Sequence, residues 1–291
     1  MQIAFHIGAH STDDDLLLSC LRQNAGLLAQ NGVLAPSADQ YRTVLREAVR
    51  RLQGAQSDPA GEEAVLEAIL NGMDGRRLVM SSENFICVPQ VVFDDAAFYG
   101  KMEQKAAWLR NVFPSQEVSF HIGLRSPATL VPALFDRCGK GDFPAFLNGI
   151  NLDELSWFDV IRRLRFAVPD APITAWCNED TPLIWPEVLT EVAGMPAQTD
   201  LKGQHARLRA VLSEDGLKRY LAYLDHHPQI TVAQRRWAAI SFLDRFGNTE
   251  EMEVDYNLPG WTQERIEALD MVYEEDLEDI MTLPDITVIR P

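Results

Sequence analysis

Ile3-Ala4-Phe5-His6-Ile7-Gly8-Ala9-His10-Ser11-Thr12-Asp13-Asp14-Asp15-Leu16-Leu17-Leu18 is the stretch from which the rest of the chain is read. A short apolar run ends at Gly8, a polar turn follows, and Leu16, Leu17, Leu18 and Leu21 open a helix. A buried strand, a glycine turn and a helix N-terminus form the unit in which backbone N–H groups and a helix dipole hold a phosphate. The side chains of this turn have the wrong sign for that task. Two like charges about 4 Å apart repel by roughly 4 kcal/mol at an effective dielectric of 20, and here three carboxylates would act together on an incoming anion.

Two readings of Asp13, Asp14 and Asp15 stand. In the first they serve the helix: Thr12 is N-cap with Asp15 at N3, and carboxylates in a first turn gain about 0.3–1 kcal/mol each from the dipole. In the second they form a hard-cation site with His10, since adjacent carboxylates do bind Mg²⁺. Neighbouring helical residues point in different directions, which weighs against convergence on one ion. No metal is assigned.

Further strands follow the same rule of apolar runs bounded by turns. Residues 3–7, 78–82, 118–124 and 173–177 are predicted as core strands, and residues 286–289 as a closing one. Between them lie amphipathic helices. Leu17, Leu21, Ala25 and Leu28 trace one helix to Asn31-Gly32, and Ser37 with Gln40 makes a capping box for a helix through Tyr41, Leu45, Ala48 and Leu52. Residues 54–61 read as a polar loop before a short helix through Val65 and Ile69. Asp94 is expected to cap a helix carrying Tyr99, Met102, Ala106, Leu109 and Phe113. Phe-His-Ile-Gly recurs at residues 120–123, with no longer repeat around it. Strands alternating with helices predict an α/β fold, a parallel central sheet flanked by helices on both faces. No Pro- or Ser-rich linker divides the chain, so residues 1–291 read as a single α/β domain. A helical addition spans about 201–247, and residues 262–291 supply a C-terminal helix and strand.

Composition excludes whole classes. The 46% hydrophobic content is that of a globular protein, while a net charge of −17 opposes general binding to nucleic acid or to anionic membranes. The partner is then a protein or a small-molecule ligand. No apolar window is long enough for a transmembrane helix, and no signal peptide is legible. Cys20, Cys87, Cys138 and Cys177 form no C-x-x-C pair and read as reduced, mostly buried thiols in a cytoplasmic protein. His6 and His121 fall inside strands, His226-His227 at a helix end. No G-x-S-x-G, H-E-x-x-H or G-x-x-x-x-G-K-[ST] motif is present.

The opening resembles that of sulfotransferase-like P-loop proteins, whose bacterial members often read His-Ile-Gly-x-x-Lys-Thr-Gly-Thr-Thr. In them the turn holds the 5′-phosphosulfate of the donor PAPS and the Lys assists sulfuryl transfer. His6, Ile7, Gly8 and Thr12 match; Ser11 stands at the Lys position, Asp13 at the Gly, and Asp14 and Asp15 at the two Thr. The resemblance makes residues 8–15 the ligand-binding loop: Gly8, Ala9, His10, Ser11, Thr12, Asp13, Asp14 and Asp15. It assigns Arg125, after the third core strand, to the donor's 3′-phosphate, although the Ser eight positions later is Ala133. Arg125 is expected to face the first loop and pair with one of its carboxylates or with Glu83. Met80-Ser81-Ser82-Glu83-Asn84-Phe85 resembles a segment whose carboxylate lies beside the transferable group, which makes Glu83 the candidate catalytic base. The resemblance thus implies a three-layer fold with a degenerate phosphosulfate loop. The expected function is a sulfotransferase-fold protein that has lost PAPS and binds another ligand, without a cofactor. A PAPS-dependent sulfotransferase with an atypical loop is the alternative, and a metal-assisted transferase or hydrolase using the Asp cluster the third.

Overall fold

The computed structural model describes residues 1–139, 141–248 and 258–291, except the side chain of Asp95. Six parallel strands form one sheet in the order β2-β3-β1-β4-β5-β6. They are β1 (Gln2–His6), β2 (Val33–Leu34), β3 (Arg77–Ser81), β4 (Glu117–Leu124), β5 (Ile173–Cys177) and β6 (Ile286–Ile289). The four expected core strands and the closing strand are all present, and the fold is α/β. The winding direction reverses at β1, which pairs with β3 on one side and β4 on the other. Loops at the carboxyl ends of such strands are where α/β sheets place ligands.

Thirteen α-helices are described: α1 (Leu16–Gln23), α2 (Ala25–Gln30), α3 (Ala38–Leu52), α4 (Pro59–Leu70), α5 (Met102–Val112), α6 (Pro127–Arg137), α7 (Phe143–Leu147), α8 (Trp157–Ala167), α9 (Thr181–Ala193), α10 (Ala206–Val211), α11 (Glu214–His226), α12 (Val232–Phe246) and α13 (Gln263–Ile280). They cover the two sheet faces unequally. Ile3, Phe5, Leu78, Met80, Phe120 and Ile122 face a large core formed with α3, α4, α5, α6, α8 and α13, in which Phe5 packs among Phe85, Phe113 and Phe120. The opposite face, under α1, α2 and α9, alternates Ala4, Val79 and Trp176 with His6, Ser81 and His121. His6 Nδ1 lies 2.8 Å from Ser81 Oγ and its ring stacks on Trp176. Burial holds both histidines below the ordinary imidazole pKa, so they stand neutral in the sheet. From the added helices α10–α12 comes a separate small cluster around Leu208, Leu217 and Tyr220.

Some helix boundaries differ from the sequence reading, each for a local reason. The first helix breaks at Asn24, whose amide donates to the carbonyls of Cys20 and Lys202. Asp58 caps α4, so the polar stretch 54–61 already contains a helix start. Asp94 opens only a 3₁₀ turn; Tyr99 has φ +47° and α5 begins at Met102. The Ser37–Gln40 capping box forms as expected.

Candidate functional site

The loop after β1 continues the strand's pairing for three residues before it turns. Ile7 N–H donates to His121 O and Ala9 N–H to Gly123 O. Gly8 has φ +63°, and a Cβ there would stand 3.0 Å from Glu83 Cα. Only glycine permits that approach of the first loop to the segment after β3. His10 then locks the loop from within. Its Nε2 lies 3.0 Å from Cys87 O, which makes it the protonated nitrogen, and Nδ1 accepts from Tyr99 Oη at 2.9 Å. Tyr99 Oη in turn accepts from His10 N–H. Burial lowers the pKa of His10, against the raising charge of Glu83, so this ring too is neutral and structural.

The three aspartates do not act as a first helical turn. Ser11, Asp14 and Asp15 have φ of +57°, +47° and +64°, and this left-handed path delays α1 to Leu16. Thr12 is therefore not the N-cap; its hydroxyl donates to Ala9 O at 2.7 Å. The capping carboxylate is Asp13, which accepts from Leu17 N–H at 2.9 Å. Asp14 lies 3.7 Å from Arg137, Asp15 3.4 Å from Arg42, and both side chains are largely exposed. The carboxylates diverge. Among the described residues no group of three or more His, Cys, Asp or Glu gathers as a metal site.

Glu83 sits behind the loop in the grip of Arg137, with distances of 2.5 and 2.8 Å to its two oxygens. Its Oε2 is also 3.4 Å from Ser11 N–H. Burial pushes its carboxyl up, but the two hydrogen bonds and the charge of Arg137 more than reverse this and hold it below the usual carboxylate pKa. A carboxylate stabilised in its charged form is a weak general base, so this arrangement does not favour the catalytic role expected of Glu83.

Arg125 does face the first loop. Its Nη1 donates to Ser11 O at 2.6 Å and its Nε to Thr129 Oγ1 at 2.8 Å. Besides Arg42, two further arginines escaped the sequence reading. Arg137 ends α6, and Arg207, from the added helix α10, donates to Thr12 O while its guanidinium lies over the Trp185 ring. Neither belongs to a motif; each reaches the loop only through tertiary packing. Four cations, Arg42, Arg125, Arg137 and Arg207, thus stand around Asp13, Asp14, Asp15 and Glu83. Beside them, at the carboxyl ends of β4 and β5, Glu179 accepts from Ser126 N–H at 2.9 Å and from Tyr273 Oη at 3.1 Å. Ser126 Oγ donates to Asp270, also outside any motif.

No family model matches the chain, and no curated protein matches it.

Proposed function

We propose that this chain is a divergent sulfotransferase-fold protein that has lost PAPS binding, and that it acts as a non-catalytic or altered-ligand binding protein. One observation carries the reading: the groups a phosphosulfate would need are taken up by the protein itself. The N–H groups of Ala9, His10 and Ser11 are directed to Gly123 O, Tyr99 Oη and Glu83 Oε2, and Arg137 is engaged by Glu83. Glu83 acts as an internal anion. The loop has no net cationic charge to offer a polyanion: four carboxylates offset the four guanidinium groups, Arg137 paired with Glu83 and Asp14, Arg42 with Asp15, and Arg125 and Arg207 donating to the carbonyls of Ser11 and Thr12. The partner is a protein or a small-molecule ligand, and four free thiols fit a cytoplasmic setting.

A second reading keeps a PAPS-dependent enzyme, and Arg207 is what favours it. Its Nε is buried without a partner among the described residues, beside a loop that resembles an anion site. Thermal denaturation with PAPS or its product PAP separates the two. A ligand at 100 times its Kd adds about 2.7 kcal/mol of stability, so millimolar PAP should leave the melting temperature of wild type unmoved if the loop is filled. The loop revertant Ser11→Lys, Asp13→Gly, Asp14→Thr, Asp15→Thr should gain a shift. A clear shift in wild type would make the enzyme the better reading.

A further inference from the structure

The segment after β3 has a second side. Past Glu83 it runs between α3 and α5 and forms with them an open cavity of about 520 Å³, within the range of small-molecule sites. Arg42, Arg46 and Arg50 come from successive turns of α3, one helical face at four-residue spacing. Lys105 comes from α5, and Phe85 and Trp108 supply aromatic surface. Among the described residues no Asp or Glu lines the cavity, in a chain whose 43 acidic residues outnumber its 26 basic ones. The charge is therefore sorted against composition, and at a concave apolar surface.

Arg42 already has Asp15 at 3.4 Å, but Arg46, Arg50 and Lys105 have no carboxylate within ion-pair distance among the described residues. Like charges four residues apart on one helical face repel, so three arginines at i, i+4 and i+8 work against the helix unless an anion joins them. Lys105 instead lies over the Trp108 ring, 4.7 Å from its centroid. Burial and then the like charge of Lys101 lower its pKa, the mark of a cation without a counter-charge.

We propose that this cavity binds a small organic anion with an apolar body, the body against Phe85 and Trp108 and the acidic head against Arg46, Arg50 and Lys105. A carboxylate, sulfonate or phosphate head would serve, since guanidinium groups pair with planar and tetrahedral oxyanions alike. The site touches the loop where Arg42 meets Asp15 and Cys87 O meets His10, but it does not rest on the loop reading, because none of its residues holds the Glu83 carboxylate.

Calorimetric titration of the whole protein with one ring system and different heads tests this. The expected result is that 1-naphthoate, 1-naphthalenesulfonate or 1-naphthyl phosphate binds at least tenfold tighter than 1-naphthylmethylammonium, and that acetate does not bind. The order among the three anions identifies the head group. Arg46→Glu with Arg50→Glu, both exposed, should weaken the anion at least tenfold without moving the melting temperature. Equal binding of anion and cation would reduce the cavity to a plain apolar surface and overturn the proposal. So would no binding of any naphthyl compound, or unchanged affinity in a double variant that is as stable as wild type. Glu83→Gln should leave naphthoate binding as it is; its loss there would tie the cavity to the loop and overturn their independence.

Discussion

The loop after β1 and the cavity between α3 and α5 share one segment, residues 82–88, and handle charge in opposite ways. On the loop side Glu83 is clamped by Arg137, and every backbone donor from Ala9 to Ser11 is directed at a protein acceptor. On the cavity side three cations face open space beside Phe85 and Trp108. Charges closed on each other contribute to folding; charges left facing a concavity are available for binding. The difference teaches which of the two to test for a ligand and which for stability. Substitutions at the closed contacts of the loop, Gly8 and Arg137 among them, should destabilise, and those in the cavity should not.

The largest effect is expected at Gly8. Gly8→Ala combines a left-handed backbone with a Cβ 3.0 Å from Glu83 Cα, and should cost about 2–4 kcal/mol in urea denaturation. Arg137→Ala comes next, at about 1–3 kcal/mol, since it strands a mostly buried carboxylate while Arg137 itself is partly solvated. Most of that loss should vanish in Arg137→Ala with Glu83→Gln, and a double-mutant cycle showing no coupling would remove the pair from the account.

The dependence on pH sharpens the same contrast. His6, His10 and His121 have pKa values lowered by burial, so the unfolded chain binds protons first as pH falls below about 6.5. Stability should decline from there toward the lowered folded values. Glu83 is also depressed, relative to an ordinary 4.5, and its contribution is present above that pH and lost as pH falls through its folded value. The decline should therefore show two stages, and the second, to which Asp159 and Asp170 with their lowered pKa values also contribute, should be shallower in Glu83→Gln. The smallest expected effect is at Asp14. Asp14→Gly relieves a φ of +47° at the expense of an exposed pair with Arg137, and should change stability by less than about 1 kcal/mol.

The parts legible in the sequence are those decided locally. Residues 3–7 or 173–177 declare a buried strand by an apolar run between turns, and Ser37 with Gln40 declares a helix start by side chains three residues apart. The illegible parts are decided by distant neighbours or by backbone angles. β2 is two residues long, too short to carry a pattern. The turn 11–15 looked like a capped helix start, because Asp and Thr favour caps; the left-handed angles at Asp14 and Asp15 moved the start to Leu16 and handed the cap to Asp13. Glu83 and Arg125 could be placed at the loop from strand ends alone. Arg137 and Arg207 could not, because helix packing brings them there from 54 residues beyond Glu83 and 195 beyond Thr12.

The central claim is that Glu83 occupies the anion position of the loop, and it can be tested by removing that charge alone. PAP titrated calorimetrically into wild type and into Glu83→Gln compares the loop with and without its internal anion. The account predicts no heat from wild type at millimolar PAP and measurable binding by Glu83→Gln, whose Arg137 has lost its counter-charge. Tight binding by wild type, unchanged or weakened in Glu83→Gln, would contradict it.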